Sequence, residues 1–162
     1  MNVTTWESVQ AAVDEIVGEF GGRLDVFVAN SGIAWEEGNF LDGSLDTMQR
    51  VLRVNVDGTL HCARAAALHW RRQKREGTTA DGRPLDNFLA GSFICTASMS
   101  GHIVNIPQLQ AVYNASKAAV IHACGCPYLP PIRPPLFSFP TSLSASLRSV
   151  VRVQPVASSV RQ

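Results

Sequence analysis

Apolar residues recur at spacings of three and four through residues 5–20, TWESVQAAVDEIVGEF. That period places Trp6, Val9, Val13, Ile16, Val17 and Phe20 on one helical face, with Thr5 positioned as N-cap and Gly21-Gly22 as a stop. The pattern then changes. LDVFVA, residues 24–29, is short and continuously apolar, which predicts a strand buried on both faces as in a parallel sheet. Asn30-Ser31-Gly32 ends it. A polar, acidic loop spans residues 35–43, and Ser44 caps a long helix reading LDTMQRVLRVNVDGTLHCARAAALHWRRQ. Asn55 and Gly58 interrupt that helix, where both are poor helix formers. Residues 74–90 are polar and turn-rich. GSFICTAS, residues 91–98, predicts a second buried strand, SMSGHIVNIPQLQ a loop, and AVYNASKAAVIHA a helix. Helix, strand, helix, strand, helix is the alternation of an α/β protein built on a parallel sheet.

After Ala123 the pattern fails. CGCPYLPPIRPPLFSFP holds six prolines in seventeen residues, which excludes helix and central strand. The Ser-, Val- and Arg-rich remainder has no clear period. The chain therefore divides into an α/β domain, 1–123, and an irregular, disordered tail, 124–162. At 162 residues there is room for one domain, and 46% hydrophobic with 17% charged residues suits a globular one. A net charge of +1 gives no reason to expect nucleic acid or membrane. It hides an asymmetry: residues 1–86 carry nine basic and thirteen acidic groups, or −4, whereas 87–162 carry five basic groups and no acid, or +5. Such a switch suggests two unlike sequences joined. The four cysteines show no disulfide rhythm, so Cys62 and Cys95 read as buried thiols in a reducing, cytoplasmic setting. No apolar run approaches a membrane span. His122, Cys124 and Cys126 form a lone H-x-C-x-C without a second half, so no metal site is expected. The run Arg71-Arg72-Gln73-Lys74-Arg75 reads as a solvated helix end rather than a nucleic-acid patch.

Candidate chemistry gathers in the second half of the domain. Tyr113 and Lys117, at i and i+4, share a helix face, where an ammonium favours a phenolate and prepares it for proton transfer. A plain contact between a ring and a lysine stem would give the same spacing. Ser98 stands where one strand ends and Asn30 where the other does, and ligands of parallel α/β sheets sit outside those carboxyl ends. Asn55, costly within a helix, could anchor a water or a backbone group through its amide.

The runs LDVFVANSGI, RVNVDGT, ICTASMSG and YNASKAAV resemble consecutive motifs of the short-chain dehydrogenase/reductase family. The phrasing TASMSGHIVNIPQLQAVYNASKAAV most resembles its NADP-dependent polyol and sugar reductases, the mannitol dehydrogenases and sorbose reductases. The resemblance covers residues 2–123 and implies part of a Rossmann-type, doubly wound parallel sheet. It implies hydride transfer between NADP(H) and a small carbonyl or alcohol, with NAD possible, and relatives that are homo-oligomers. It makes Tyr113 the general acid/base and Lys117 its partner, which also binds the nicotinamide ribose. Ser98 becomes the serine that orients the substrate oxygen, in preference to Ser100, because Gly101 follows it at the family's interval. Asn55 matches the asparagine that holds a proton-relay water. Asn30-Ser31-Gly32 matches the Asn-Ala-Gly that lies against the cofactor. No glycine-rich G-x-G-x-x-G turn for a pyrophosphate occurs in the sequence. The expectation is therefore a partial gene product, its tail translated from intron or shifted frame. The alternative reading is an inactive fragment that binds full-length relatives.

Overall fold

A computed structural model describes residues 1–125 and 150–152. Helix α1 spans Trp6–Glu19, strand β1 Val26–Ala29, helix α2 Leu45–Leu52, helix α3 Gly58–Glu76, strand β2 Ser92–Thr96, helix α4 Ala111–Cys124 and strand β3 Val150–Arg152. A turn of π-helix, Arg53–Asp57, joins α2 to α3 without breaking the rod, and a 3₁₀ turn, Met99–Gly101, follows β2. The interruption lies where Asn55 stands, as the sequence suggests. Strands β1 and β2 are parallel, pairing Val26 with Ser92 through Ala29 with Cys95, and the strand order is β1-β2-β3. β3 lies antiparallel to β2. The expected irregular tail otherwise falls outside the described residues.

One face of the sheet makes the core. Ala29, Phe93 and Cys95 pack with Val9, Val13 and Val17 of α1, Cys62, Ala66 and Trp70 of α3, and Val120 of α4. Phe27 and Phe93, cross-strand partners, stack at 5.8 Å. Burying each such side chain contributes about 1.5–3 kcal/mol. The expectation of strands buried on both faces is corrected here. Val26 and Val28 are 54% and 57% exposed, because α1, α3 and α4 all cover the same side of the sheet. α1 also buries a narrower stripe than its period suggests. Ile16 and Phe20 are exposed, since α1 rests on α3, and one neighbouring helix shields only a narrow band. Its stop is as expected: Gly21 and Gly22 take φ of +71° and +77°, and their N–H groups return to Gly18 and Val17. Thr5 occupies the N-cap position but its side chain makes no capping bond, whereas Ser44 Oγ accepts from the Thr47 N–H at 3.1 Å.

Two amide side chains from the helical rod clamp β1 at its two ends. Gln73, fully buried in α3, accepts the Leu24 N–H at 2.7 Å and donates to the Leu24 carbonyl at 2.8 Å. It therefore replaces a β-ladder partner just before the strand. The reading of residues 71–75 as a solvated helix end holds for Arg71, Lys74 and Arg75 but not for Gln73. Trp70 donates its indole N–H to the same Leu24 carbonyl, and its ring lies where a side chain on Gly91 would be. At the far end of the strand Asn55 makes the equivalent pair with Ile33.

Cys62 is a free, buried thiol, its pKa raised by burial, as expected. Cys95 is buried too, but it is joined to Cys124 in a disulfide rather than standing as a thiol. Packing of β2 against the end of α4 brings together two cysteines 29 residues apart, a contact that sequence spacing does not reveal.

Candidate active site

The carboxyl ends of β1 and β2 point the same way, so Asn30-Ser31-Gly32 and Ser98 emerge on one side of the sheet. A cross-strand bond ties the two ends, with Thr96 Oγ1 donating to Asn30 Oδ1 at 2.7 Å. The π turn presents Asn55 to this edge. Its buried amide accepts the Ile33 N–H at 2.8 Å and donates to the Ile33 carbonyl at 3.0 Å and to Ser116 Oγ at 2.9 Å. Ser116 Oγ in turn donates to the Tyr113 carbonyl at 2.7 Å. Asn55 thus links the loop after β1 to the helix that carries Tyr113 and Lys117. Of the two roles open to its amide, the backbone anchor is the one the geometry displays, with both amide hydrogens committed.

Lys117 is buried, and its ammonium donates to the Thr96 carbonyl at 2.8 Å. Burial disfavours the charged form and holds its pKa below the ordinary lysine value. Its Nζ sits 5.7 Å from the centre of the Tyr113 ring, so the i, i+4 pair is a real contact. Tyr113 is half-buried against a second apolar cluster of Trp35, Val51 and Val112, which fixes its ring. Trp35 falls in the loop read as polar and acidic. Its ring is accommodated by the bare Cα of Gly43, and its indole donates to the Gly38 carbonyl. Ser98 opens the 3₁₀ turn, and its Oγ accepts the Ser100 N–H at 3.2 Å. That turn is seated on α4: a Cβ on Gly101 would lie 2.7 Å from the Lys117 carbonyl carbon and 2.8 Å from the Ala118 nitrogen. Among the described residues no hydrogen bond joins the Ser98 and Tyr113 hydroxyls, which leaves both to meet a third group.

Gly32 lies against this cluster. A Cβ there would stand 3.3 Å from Lys117 Nζ and 3.4 Å from Asn55 Oδ1. The absent side chain keeps a cradle open beside an ammonium that has used one of its three donors. Exposed Asn30, Ser31 and Gly32 with Lys117 fit the sugar and ring end of a nucleotide cofactor. Ser116, Thr96 and Ile33 escaped the sequence reading. Ser116 had a signal, three residues after Tyr113 and so one helical turn along the same face; Ile33 acts through its backbone and Thr96 meets Lys117 through its carbonyl, which no side-chain motif reports. His122 and Cys124 lie on α4 with Cys124 in the disulfide, and Cys126 lies outside the described residues. No helix of the described residues is long and apolar enough to cross a membrane.

A family model described as enoyl-(acyl carrier protein) reductase matches residues 1–125. L-xylulose reductase of Hypocrea jecorina is 68% identical over 124 residues, covering 76% of this chain and 43% of that protein. NADP-dependent mannitol dehydrogenase of Alternaria alternata is 37% identical over 120 residues, covering 74% and 39%. Among solved structures, the NADPH-dependent 3-quinuclidinone reductase from Rhodotorula rubra aligns with a TM-score of 0.62 at 36% identity, over 76% of this chain and 40% of that one. A short-chain type dehydrogenase/reductase from Mycobacterium marinum aligns with the same TM-score at 40% identity, over 76% and 44%. The chain spans about two fifths of the length of the relatives it matches. With its motifs in order and its parallel strands in register, the chain belongs to the short-chain dehydrogenase/reductase family.

Proposed function

We propose that this chain carries the catalytic half of an NADP(H)-dependent reductase site acting on a small polyhydroxy ketone or the corresponding polyol. The observation that carries the reading is the convergence of Lys117 on both Tyr113 and Gly32 at the carboxyl ends of two parallel strands. The L-xylulose reductase and mannitol dehydrogenase likenesses supply the substrate class and the choice of NADP. Asn30, Ser31, Gly32 and Lys117 would hold the nicotinamide ribose end of the cofactor.

When bound, the nicotinamide supplies hydride chemistry that no side chain can provide. The residues of the chain handle the substrate oxygen. Ser98 donates a hydrogen bond to the carbonyl oxygen and Tyr113 delivers a proton to it as the alkoxide forms. The phenolate left behind is stabilised by the Lys117 ammonium. In the reverse direction Tyr113 accepts the alcohol proton. Asn55 holds the loop after β1 and the first turn of α4 at a fixed distance, so that Gly32 and Tyr113 keep their places.

The test is NADPH consumption by the full chain with L-xylulose or sorbose, and NADP⁺ reduction with mannitol, for wild type and Tyr113→Phe. Turnover by wild type and its loss in Tyr113→Phe with cofactor binding retained supports the reading; turnover surviving in Tyr113→Phe overturns it. A second reading, that the chain serves as an inactive partner of longer relatives, is favoured by the exposed Val26 and Val28 on an uncovered sheet face. Absence of cofactor binding together with co-purification with a longer family member would select it.

A further inference from the structure

Ser100 is claimed by neither the fold nor the reaction above, yet it is a buried hydroxyl, 6% exposed, at the meeting point of three segments. Its backbone N–H donates to Ser98 Oγ at 3.2 Å. Its side-chain oxygen accepts from Asn105 Nδ2 at 3.2 Å and from Gln110 Nε2 at 3.1 Å. Those two amides occupy the two lone pairs of the hydroxyl. Gln110 is the N-cap residue of α4, and its carbonyl accepts the Asn114 N–H in the first turn. Tyr113 lies in that same turn. Asn105 sits midway along the loop from the 3₁₀ turn to α4. Around it Ile103, Val104, Ile106 and Leu109 are all exposed, so burial of their side chains does little to hold the loop.

We infer that Ser100 is a positioning residue that sets the spacing between Ser98 and Tyr113 by tying the serine turn to the N-cap of α4. The inference rests on the proposed reductase reading. A substrate oxygen held between two hydroxyls tolerates little error in their separation, since a misplacement of about 1 Å can cost ~100-fold in rate. The Ser100 N–H bond also fixes the Ser98 hydroxyl as an acceptor on its protein side, leaving its O–H to donate to substrate. Asn105, held by the same oxygen, places the middle of the loop beside the site, where a polyhydroxy substrate would extend. Ser100 acts through Ser98 and Gln110 and touches no reacting atom.

The test uses the full chain with Ser100→Ala, Ser100→Thr, Gln110→Ala and the Ser100→Ala/Gln110→Ala double variant. Steady-state reduction of L-xylulose is read together with NADPH affinity, and amide hydrogen exchange over residues 102–112 is measured on the same samples. For Ser100→Ala we expect kcat/KM to fall roughly tenfold or more, NADPH affinity to stay within about twofold, and exchange in 102–112 to rise. Ser100→Thr, which keeps the hydroxyl, should restore both. The double variant should lose less than the sum of the two single losses, because both single changes remove the bond between Ser100 and Gln110. An unchanged exchange pattern in Ser100→Ala overturns the inference even where no turnover is seen. Additive losses, or equal loss in Ser100→Thr, overturn it where turnover is present. Lack of turnover in wild type with raised exchange in Ser100→Ala would sink the reductase reading alone, leaving the tie between the turn and the helix standing.

Discussion

Replacing Asn55 with leucine removes a side chain of similar size and, with it, three hydrogen bonds at 2.8, 3.0 and 2.9 Å. The Ile33 N–H and carbonyl lose their partners, and Ser116 Oγ loses an incoming donor while keeping its own bond to the Tyr113 carbonyl. Leaving a buried polar group unpaired costs about 1–3 kcal/mol. The two Ile33 groups are partly reached by water and Ser116 is only half deprived, so the gross loss is about 3–5 kcal/mol. The leucine side chain returns about 1–2 kcal/mol of apolar burial. The net destabilisation is therefore about 1–4 kcal/mol, against the ~5–15 kcal/mol that holds a typical domain together. Urea unfolding followed by tryptophan fluorescence reads this directly. Trp35, two residues from Ile33 and buried, reports on the loop that Asn55 anchors. The midpoint should fall with the slope of the transition unchanged. A Ser116→Ala variant in an Asn55→Leu background should add less than it does alone, because their shared bond is already gone. A midpoint that stays put, with a loss under ~0.5 kcal/mol, would refute the idea that Asn55 is a structural tie between the loop and α4.

Other variants probe the neighbouring contacts. Gln73→Ala should cost about 1–3 kcal/mol, because the Leu24 N–H loses its partner while the Leu24 carbonyl keeps only the Trp70 indole; thermal melts would show it, and a loss below ~0.5 kcal/mol would contradict the clamp. Gly101→Ala inserts a Cβ 2.7–2.8 Å from α4 backbone atoms, so it should lower stability by ~1–3 kcal/mol and abolish turnover, whereas a neutral melt would mean the turn is not seated on the helix. Lys117 gives a pH dependence. Its folded pKa lies below the ordinary lysine value of 10.5, so between the two the unfolded chain holds the extra proton and stability rises with pH. The urea midpoint of wild type should rise relative to that of Lys117→Met across that window; a relative midpoint that falls or stays flat would contradict burial as the cause.

Much of this was legible before any coordinates. The 3.6-residue period located α1 and α4, the continuous apolar runs located β1 and β2, and Asn55 within a helix pointed to the interruption that became a π turn. The pairing of Tyr113 with Lys117 followed from helical spacing. What stayed hidden depends on contacts across the chain. Gln73 lies in a run of cations and reads as surface, yet it pairs with a backbone 49 residues away. Trp35 lies among acidic residues, and its burial requires the space Gly43 leaves for its ring. Val26 and Val28 look like core by composition, and they are exposed because α1, α3 and α4 all cover the opposite face. Neither periodicity nor residue type records which side of a sheet the helices take.

The most direct test of the central claim is to follow the hydride. The full chain would be incubated with NADPH deuterated at the transferable C4 position and with L-xylulose, and the polyol product examined by mass spectrometry. A product carrying one deuterium on the former carbonyl carbon from wild type, and none from Tyr113→Phe, is the predicted result. Deuterium in the product of both proteins, or in neither, would contradict the assignment of Tyr113, Lys117 and Ser98 as a working reductase site.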